Sequence, residues 1–183
     1  RGHRVAICDQ TSTTPIKGDD GKRLIQREVT RIVTAGTVIE PNLLDSKSNN
    51  YLCSFISDGQ RTGIAHADIT TGDFAVTEVE NSEALTELQR LAPAEVLIPQ
   101  TETEFSNKHL PTFVTRLNST FFRLESAKKT LYKHFNTKSL QPFGLEKLDL
   151  ATQAAGALIS YLNETQTSSA EQLTRLKSYD SRD

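Results

Sequence analysis

Hydrophobic and polar positions along the chain separate it into two unequal parts. The first opens with a short apolar run, Val5-Ala6-Ile7-Cys8, which predicts a buried strand. Thr11 to Gly21 is rich in Thr, Asp, Gly and Pro and predicts a loop. Leu24 to Thr34 carries Val29, Ile32 and Val33 between turn residues, and its β-branched content favours a strand. Ala35-Gly36-Thr37 and Glu40-Pro41-Asn42 then break the pattern, and the polar stretch Ser46 to Asn50 predicts a domain boundary.

From Tyr51 the signals sharpen. Tyr51 to Ser57, Thr62 to Ile69 and Asp73 to Glu80 are strands separated by the short turns Ser57-Asp58-Gly59-Gln60 and Thr70-Thr71-Gly72, which makes an antiparallel meander. Asn81 or Ser82 is placed to cap a helix with Glu83 in its first turn and the stripe Leu85, Leu88 and Leu91. Pro93 ends that helix, and Ala94 to Ile98 reads as a buried strand. A helix between two strands of one sheet is the crossover that parallel pairing requires. The pattern therefore predicts an α/β fold: a ribonuclease-H-like mixed sheet, with a three-strand antiparallel meander, a helix crossover to parallel strands, and flanking helices.

Beyond it, Thr112 to Leu117 and Thr120 to Leu124 are candidate short strands, and Ser126 is placed to cap a helix with the stripe Ala127, Leu131 and Phe135. After a loop with Pro142-Phe143-Gly144 comes the longest predicted helix, Leu148 to Glu164. Its face of Ala151, Ala154, Ala155, Leu158, Ile159 and Leu162 has helical spacing, and its small residues permit close packing. The tail is polar apart from Leu173 and Leu176, and no complete element is expected there.

Charge narrows the function classes. The 183 residues hold 21 Lys and Arg against 23 Asp and Glu, a net charge of −2, and the densest basic cluster is Lys128-Lys129 with Lys133. Nucleic-acid affinity draws on Lys and Arg displacing counterions from phosphate, so strong independent DNA binding is not expected. No apolar run approaches the roughly 18 residues of a membrane helix. With no apolar signal core near the start, a cytoplasmic chain is expected. Cys8 and Cys53 stand far apart without CxxC partners and read as buried free thiols. The absence of Met suggests that the natural chain begins upstream.

The main catalytic alternative is a metal-dependent nuclease, whose chemistry needs several carboxylates converging on divalent ions. The first meander strand carries no acid. Asp68 and Asp73 flank a turn, Glu87 lies on the helix, and the fourth strand offers only Glu95. These acids read as a solvated turn and helix face. His66 and Asp68 share one strand face and could pair for proton transfer or a metal, but no third group is arranged with them, so a polar sheet face is expected. His3, His109 and His134 are singletons, and Asp19-Asp20-Gly21 lacks the alternating acids of a calcium loop. No catalytic, cofactor or metal residue is assigned.

Several segments in order resemble the bacterial MutS family: GHRVAICDQ (Gly2 to Gln10), REVTRIVTAGT (Arg27 to Thr37), NNYL (Asn49 to Leu52), GIAHADITTGDF (Gly63 to Phe74), LAPAEVLI (Leu91 to Ile98), Phe143-Gly144-Leu145 and Glu164-Thr165-Gln166. Ala35 stands where the family usually has Pro, and Gly18 to Lys22 is slightly longer than usual. The resemblance implies that residues 1–40 are the last strands of a mismatch-binding domain, 45–165 a connector domain, and 166–183 the start of a lever region. It implies a non-catalytic module that couples DNA-binding and ATPase parts. ATP, Mg²⁺ and mismatched duplex DNA would be handled by other domains of the full-length protein. A MutL-type matchmaker would be the partner, docking on the helix Ser126 to Phe135 through Lys128, Lys129 and Tyr132.

Overall fold

A computed structural model describes residues 4–11, 14, 16–17, 23–39, 49–103, 105, 112–165 and 170–181. His3, the Asp19-Asp20-Gly21 loop, the turn residues 40–42, residues 46–48 of the boundary stretch, His109 and Gln166 lie outside the described residues.

The meander forms where its runs and short turns placed it: β5 (Leu52–Ser57), β6 (Arg61–Asp68) and β7 (Asp73–Glu80) pair antiparallel in sequence. Gly59 and Gly72 take positive φ at the two turns, 92° and 74°, where a Cβ is disfavoured. After α1 (Ala84–Leu91), β8 (Glu95–Pro99) returns parallel to β5, and β9 (Phe113–Leu117) adds parallel to β8. A two-residue strand, β10 (Lys177–Ser178), pairs parallel with β7, giving a six-stranded mixed sheet in the order β10-β7-β6-β5-β8-β9. The tail thus supplies a sheet edge, which its polar sequence does not announce.

Both faces of this sheet are covered, so its strands are buried along nearly their whole length. On one side lie α2 (Leu124–His134) and α3 (Asp149–Thr165), meeting Leu52, Ala65, Ala67, Val76 and Leu97. On the other, Ala84, Leu88 and Leu91 of α1 meet Cys53, Phe55, Ile64 and Val96. The α3 face predicted from sequence is fully buried, and Gly156, Ala157 and Tyr161 are buried as well, because α3 lies between the sheet and α2. Close approach explains two glycines. A Cβ on Gly63 would fall 2.2 Å from the Leu150 backbone, and one on Gly156 2.4 Å from Ala127. Glu78, opposite Gly63 on β7, accepts the Leu150 and Ala151 amides at 2.9 and 3.1 Å, satisfying first-turn donors of α3.

Three local expectations are corrected. Neither Asn81 nor Ser82 caps α1: its N-cap is Glu83 without a side-chain bond, while Asn81 Oδ1 accepts from Ser57 and Thr62 at 2.9 and 2.6 Å. Thr120 to Leu124 is not a strand but a 3₁₀ turn, Ser119–Phe122, followed by α2. Asn118 nucleates that turn by accepting the Thr120 amide at 3.0 Å, and Ser126 lies inside the helix.

The third correction concerns the opening strand. β1 (Val5–Gln10) pairs antiparallel with β4 (Arg27–Val33), with a bulge between Ile7 and Cys8, and β2 (Ile16–Lys17) pairs with β3 (Arg23–Leu24). β1 and β4 form a two-stranded ribbon, and β1 is exposed throughout, Val5 by 54%. Cys8 is therefore exposed rather than buried, whereas Cys53 is buried in the core, where burial pushes its thiol pKa up. A ribbon this narrow has no second layer among the described residues to cover its apolar side chains.

Candidate functional site

Helix α2 displays the residues assigned to partner docking, but not equally. Lys129 is exposed, together with Glu125, Ser126 and Lys133. Lys128 is half-buried and its Nζ lies 3.9 Å from Asp149 Oδ1, a long, solvent-screened pair that contributes little. Tyr132 is also half-buried, packed on the core by its ring. The helix thus offers a compact patch in which Lys129 and Lys133 supply charge and the edge of Tyr132 supplies apolar area. Lys133, one turn beyond Lys129, is exposed on the same face of the helix. Its i, i+4 spacing signals this in the sequence.

The acidic residues are not the solvated groups that the sequence predicts. Asp68, Glu87 and Glu95 are buried, exposed by 1%, 4% and 0%. Burial is tolerated because each carboxylate accepts several hydrogen bonds from its neighbours. Asp68 accepts from the Asn50 amide at 3.1 Å and from the Thr70 amide and hydroxyl at 2.9 and 2.6 Å, so it closes the turn after β6. Glu87 accepts two bonds from Arg90, at 2.9 and 2.7 Å, and one from the Tyr179 hydroxyl at 2.6 Å. Burial pulls the Glu87 pKa up, but these bonds outweigh it and hold the group below the usual carboxylate range. Glu95 is bonded by residues from the turn that follows β4, from β9 and from α3. Asp73 accepts from the Tyr51 hydroxyl at 3.3 Å. Among the described residues no three of His, Cys, Asp or Glu stand close enough to hold a metal ion. Each acid faces its own donors.

His66 is likewise buried, not part of a polar face. Its ring sits between Tyr51 and Tyr179 in edge contacts, with centroids 4.8 and 5.5 Å away, and Nδ1 has no hydrogen-bond partner. Burial lowers its pKa, as does Arg90, against the opposing charges of Asp73 and Glu87. It makes no bond to Asp68. Tyr51, His66, Arg90, Lys177 and Tyr179 line a groove of about 480 Å³ beside β10. His134 meets a backbone carbonyl, that of Leu173, at 2.8 Å.

Comparison with known proteins places this architecture. Residues 50–177 match the family model described as MutS domain II, and residues 1–42 match MutS domain I. The DNA mismatch repair protein MutS of Dehalococcoides mccartyi strain 195 is 44% identical over 179 residues, covering 98% of this chain and 20% of the relative. MutS of Solibacter usitatus is 38% identical over the full chain and 21% of its own length, and that of Synechococcus elongatus (strain PCC 7942) is 36% identical over 98% and 22%. The chain spans about a fifth of the length of these relatives. Among solved structures, a Fowlpox virus resolvase in complex with Holliday junction DNA overlaps 68% of this chain and 99% of its own at a TM-score of 0.42 and 14% identity, a likeness too loose to carry an assignment. No helix among the described residues is long and apolar enough to cross a membrane. The ordered motifs from Gly2 to Gln166 and the two adjoining family matches agree: the chain belongs to the MutS family of DNA mismatch repair proteins, with sequence of that family's domains I and II.

Proposed function

We propose that the six-stranded unit is the connector of a mismatch-recognition protein, a non-catalytic module of ribonuclease-H-like fold that couples DNA-binding and ATPase parts. Residues 1–40 are then the end of the mismatch-binding domain, 45–165 the connector, and 166–183 the start of the lever region. The observation that carries this reading is the match of residues 50–177 to domain II, combined with buried acids that each accept several bonds from protein donors. The strand order, an antiparallel meander followed by parallel strands across a helix, supports the fold assignment. ATP and Mg²⁺ belong to another part of the full-length protein, because this chain has no G-x-x-x-x-G-K-[ST] loop to cradle phosphates. Mismatched duplex is likewise engaged mainly elsewhere, given the net charge of −2. A cytoplasmic setting goes with this reading.

The partner is a MutL-type matchmaker, docking on α2 at Lys128, Lys129 and Tyr132. The exposure of Lys129 and the accessible edge of Tyr132 support that face. Titration of the chain with the matchmaker's N-terminal domain tests it: Lys129→Glu should weaken binding about tenfold, more at low salt than at high salt. Unaltered affinity in Lys129→Glu and Tyr132→Ala together removes α2 as the docking face. The nuclease reading is not favoured. Sustained Mg²⁺-dependent cleavage of labelled DNA by the chain, abolished in Asp68→Asn, would revive it.

A further inference from the structure

Glu95 opens β8, an otherwise apolar strand, and its carboxylate lies where the two matched domains touch. Its Oε2 accepts from the Thr34 hydroxyl and, at 3.0 Å, from the Gly36 amide, both in the segment matched to domain I. Its Oε1 accepts from the Thr115 hydroxyl of β9 at 2.7 Å and from the Tyr161 hydroxyl of α3 at 2.8 Å, both within the segment matched to domain II. Each oxygen is therefore held by one side of the joint. A carboxylate accepts through about four lone-pair positions. These donors fill them.

The surroundings are built for this contact. Thr34–Thr37 forms a tight turn closed on itself, the Thr34 amide donating to the Thr37 hydroxyl at 2.8 Å. A Cβ on Gly36 would fall 2.8 Å from Leu52 Cδ1 and 2.9 Å from the Glu95 Cβ, so only glycine brings its amide to the carboxylate. Asn50 holds the carbonyl side of the same turn, donating to Ala35 at 3.1 Å. Arg4, just before β1, reaches the Tyr161 hydroxyl at 3.5 Å with its guanidinium carbon 5.9 Å from the ring centre. Pulling the turn away would strip two donors from a carboxylate that water does not reach, and half-satisfied buried charge is strongly disfavoured.

We propose that Glu95 is the latch of a rigid joint, fixing the end of the domain I segment to β8, β9 and α3 so that ribbon and sheet move as one body. Glu95 is a positioning residue here. The joint stands whether or not α2 docks a matchmaker. Its use for passing displacement from the DNA-binding side into the sheet rests on the connector reading.

The test uses the whole chain and two NMR measurements. In the unmodified protein, residual dipolar couplings from β1 and β4 and from β5 to β8 should fit one common orientation. In Glu95→Gln, whose amide has one acceptor oxygen, the ribbon should need an orientation of its own. Thr34→Val should speed exchange of the Gly36 amide about tenfold while Cys53 and Val96 keep their protection. If Glu95→Gln fails to fold, Thr34→Val and Gly36→Ala carry the test, because both leave Thr115 and Tyr161 on the carboxylate. The latch is overturned by separate orientations in the unmodified protein, by Gly36 exchange unchanged in folded Thr34→Val, or by protection lost evenly across the sheet. Matchmaker affinity plays no part in these readings, so the joint and the docking face fail independently.

Discussion

The ribbon and the meander are written in the same alphabet and end in opposite environments. VAIC at Val5 to Cys8 and LCSFI at Leu52 to Ile56 are both short, apolar and β-prone. In β5, Leu52, Cys53 and Phe55 are fully buried, because α3 covers one face and α1 the other. In the ribbon, Val5 and Val29 are exposed by 54% and 57%. A strand's apolar content says that it needs covering; the layer that covers it comes from elsewhere in the fold. The difference also separates what each region can do. The sheet is a packed body, and the ribbon is anchored to it at one end, through Thr34 and Gly36 in the turn after β4.

The largest test of this contrast compares truncations in the two regions. Leu158→Ala removes a fully buried α3 side chain and should cost about 3 kcal/mol in urea unfolding. Val29→Ala on the exposed ribbon should change stability by less than about 0.5 kcal/mol. Equal losses would mean that the ribbon is as tightly packed as the sheet.

A smaller effect tests how the sheet holds α3. Glu78→Ala strips the acceptor from the Leu150 and Ala151 amides and should cost about 1–2 kcal/mol. Arg61→Ala, which removes the half-exposed 3.1 Å ion-pair partner of Glu78 and a long bond to its carbonyl but leaves the helix amides capped, should cost less than about 0.5 kcal/mol by the same measurement. A reversed ranking would transfer the role of Glu78 from helix capping to surface charge.

The smallest effect is in pH. The buried His66 has a lowered pKa, so below its unfolded value of about 6.5 the unfolded chain binds the extra proton and the folded chain does not. The stability this group contributes is therefore full above that value and lost as pH falls. Glu87, also lowered, loses its contribution in a separate window at and below the ordinary carboxylate range. Between pH 7 and 5.5 the protein should therefore lose stability with a slope to which His66 contributes, read by urea unfolding across that window. His66→Phe, which keeps a ring between Tyr51 and Tyr179, should flatten that slope. An unchanged slope would trace it to another group.

Much of the sheet was legible in order. Turn glycines at 59 and 72 and apolar runs of strand length are local signals, and the helix between β7 and β8 made parallel return the natural outcome. The 3₁₀ turn at Ser119–Phe122 was not legible, because Thr120-Phe121-Phe122 is β-prone and the Asn118 side chain helps to bend it. On α2, the exposure of Lys129 was readable from its outward spacing. The half-burial of Lys128 and Tyr132 depended on how α2 settles against its neighbours.

What the sequence determined by itself is therefore the meander, the three helices, their order and the family, because these rest on periodicity, turn chemistry and motifs read within a few residues of one another. What only the tertiary structure decided is which polar groups are buried. Glu95 looked like a strand-end acid; Thr34, Thr115 and Tyr161, separated from it by 61, 20 and 66 positions, make it the hub between ribbon and sheet. A buried carboxylate is stable only when distant donors converge on it, and convergence is a property of the folded chain.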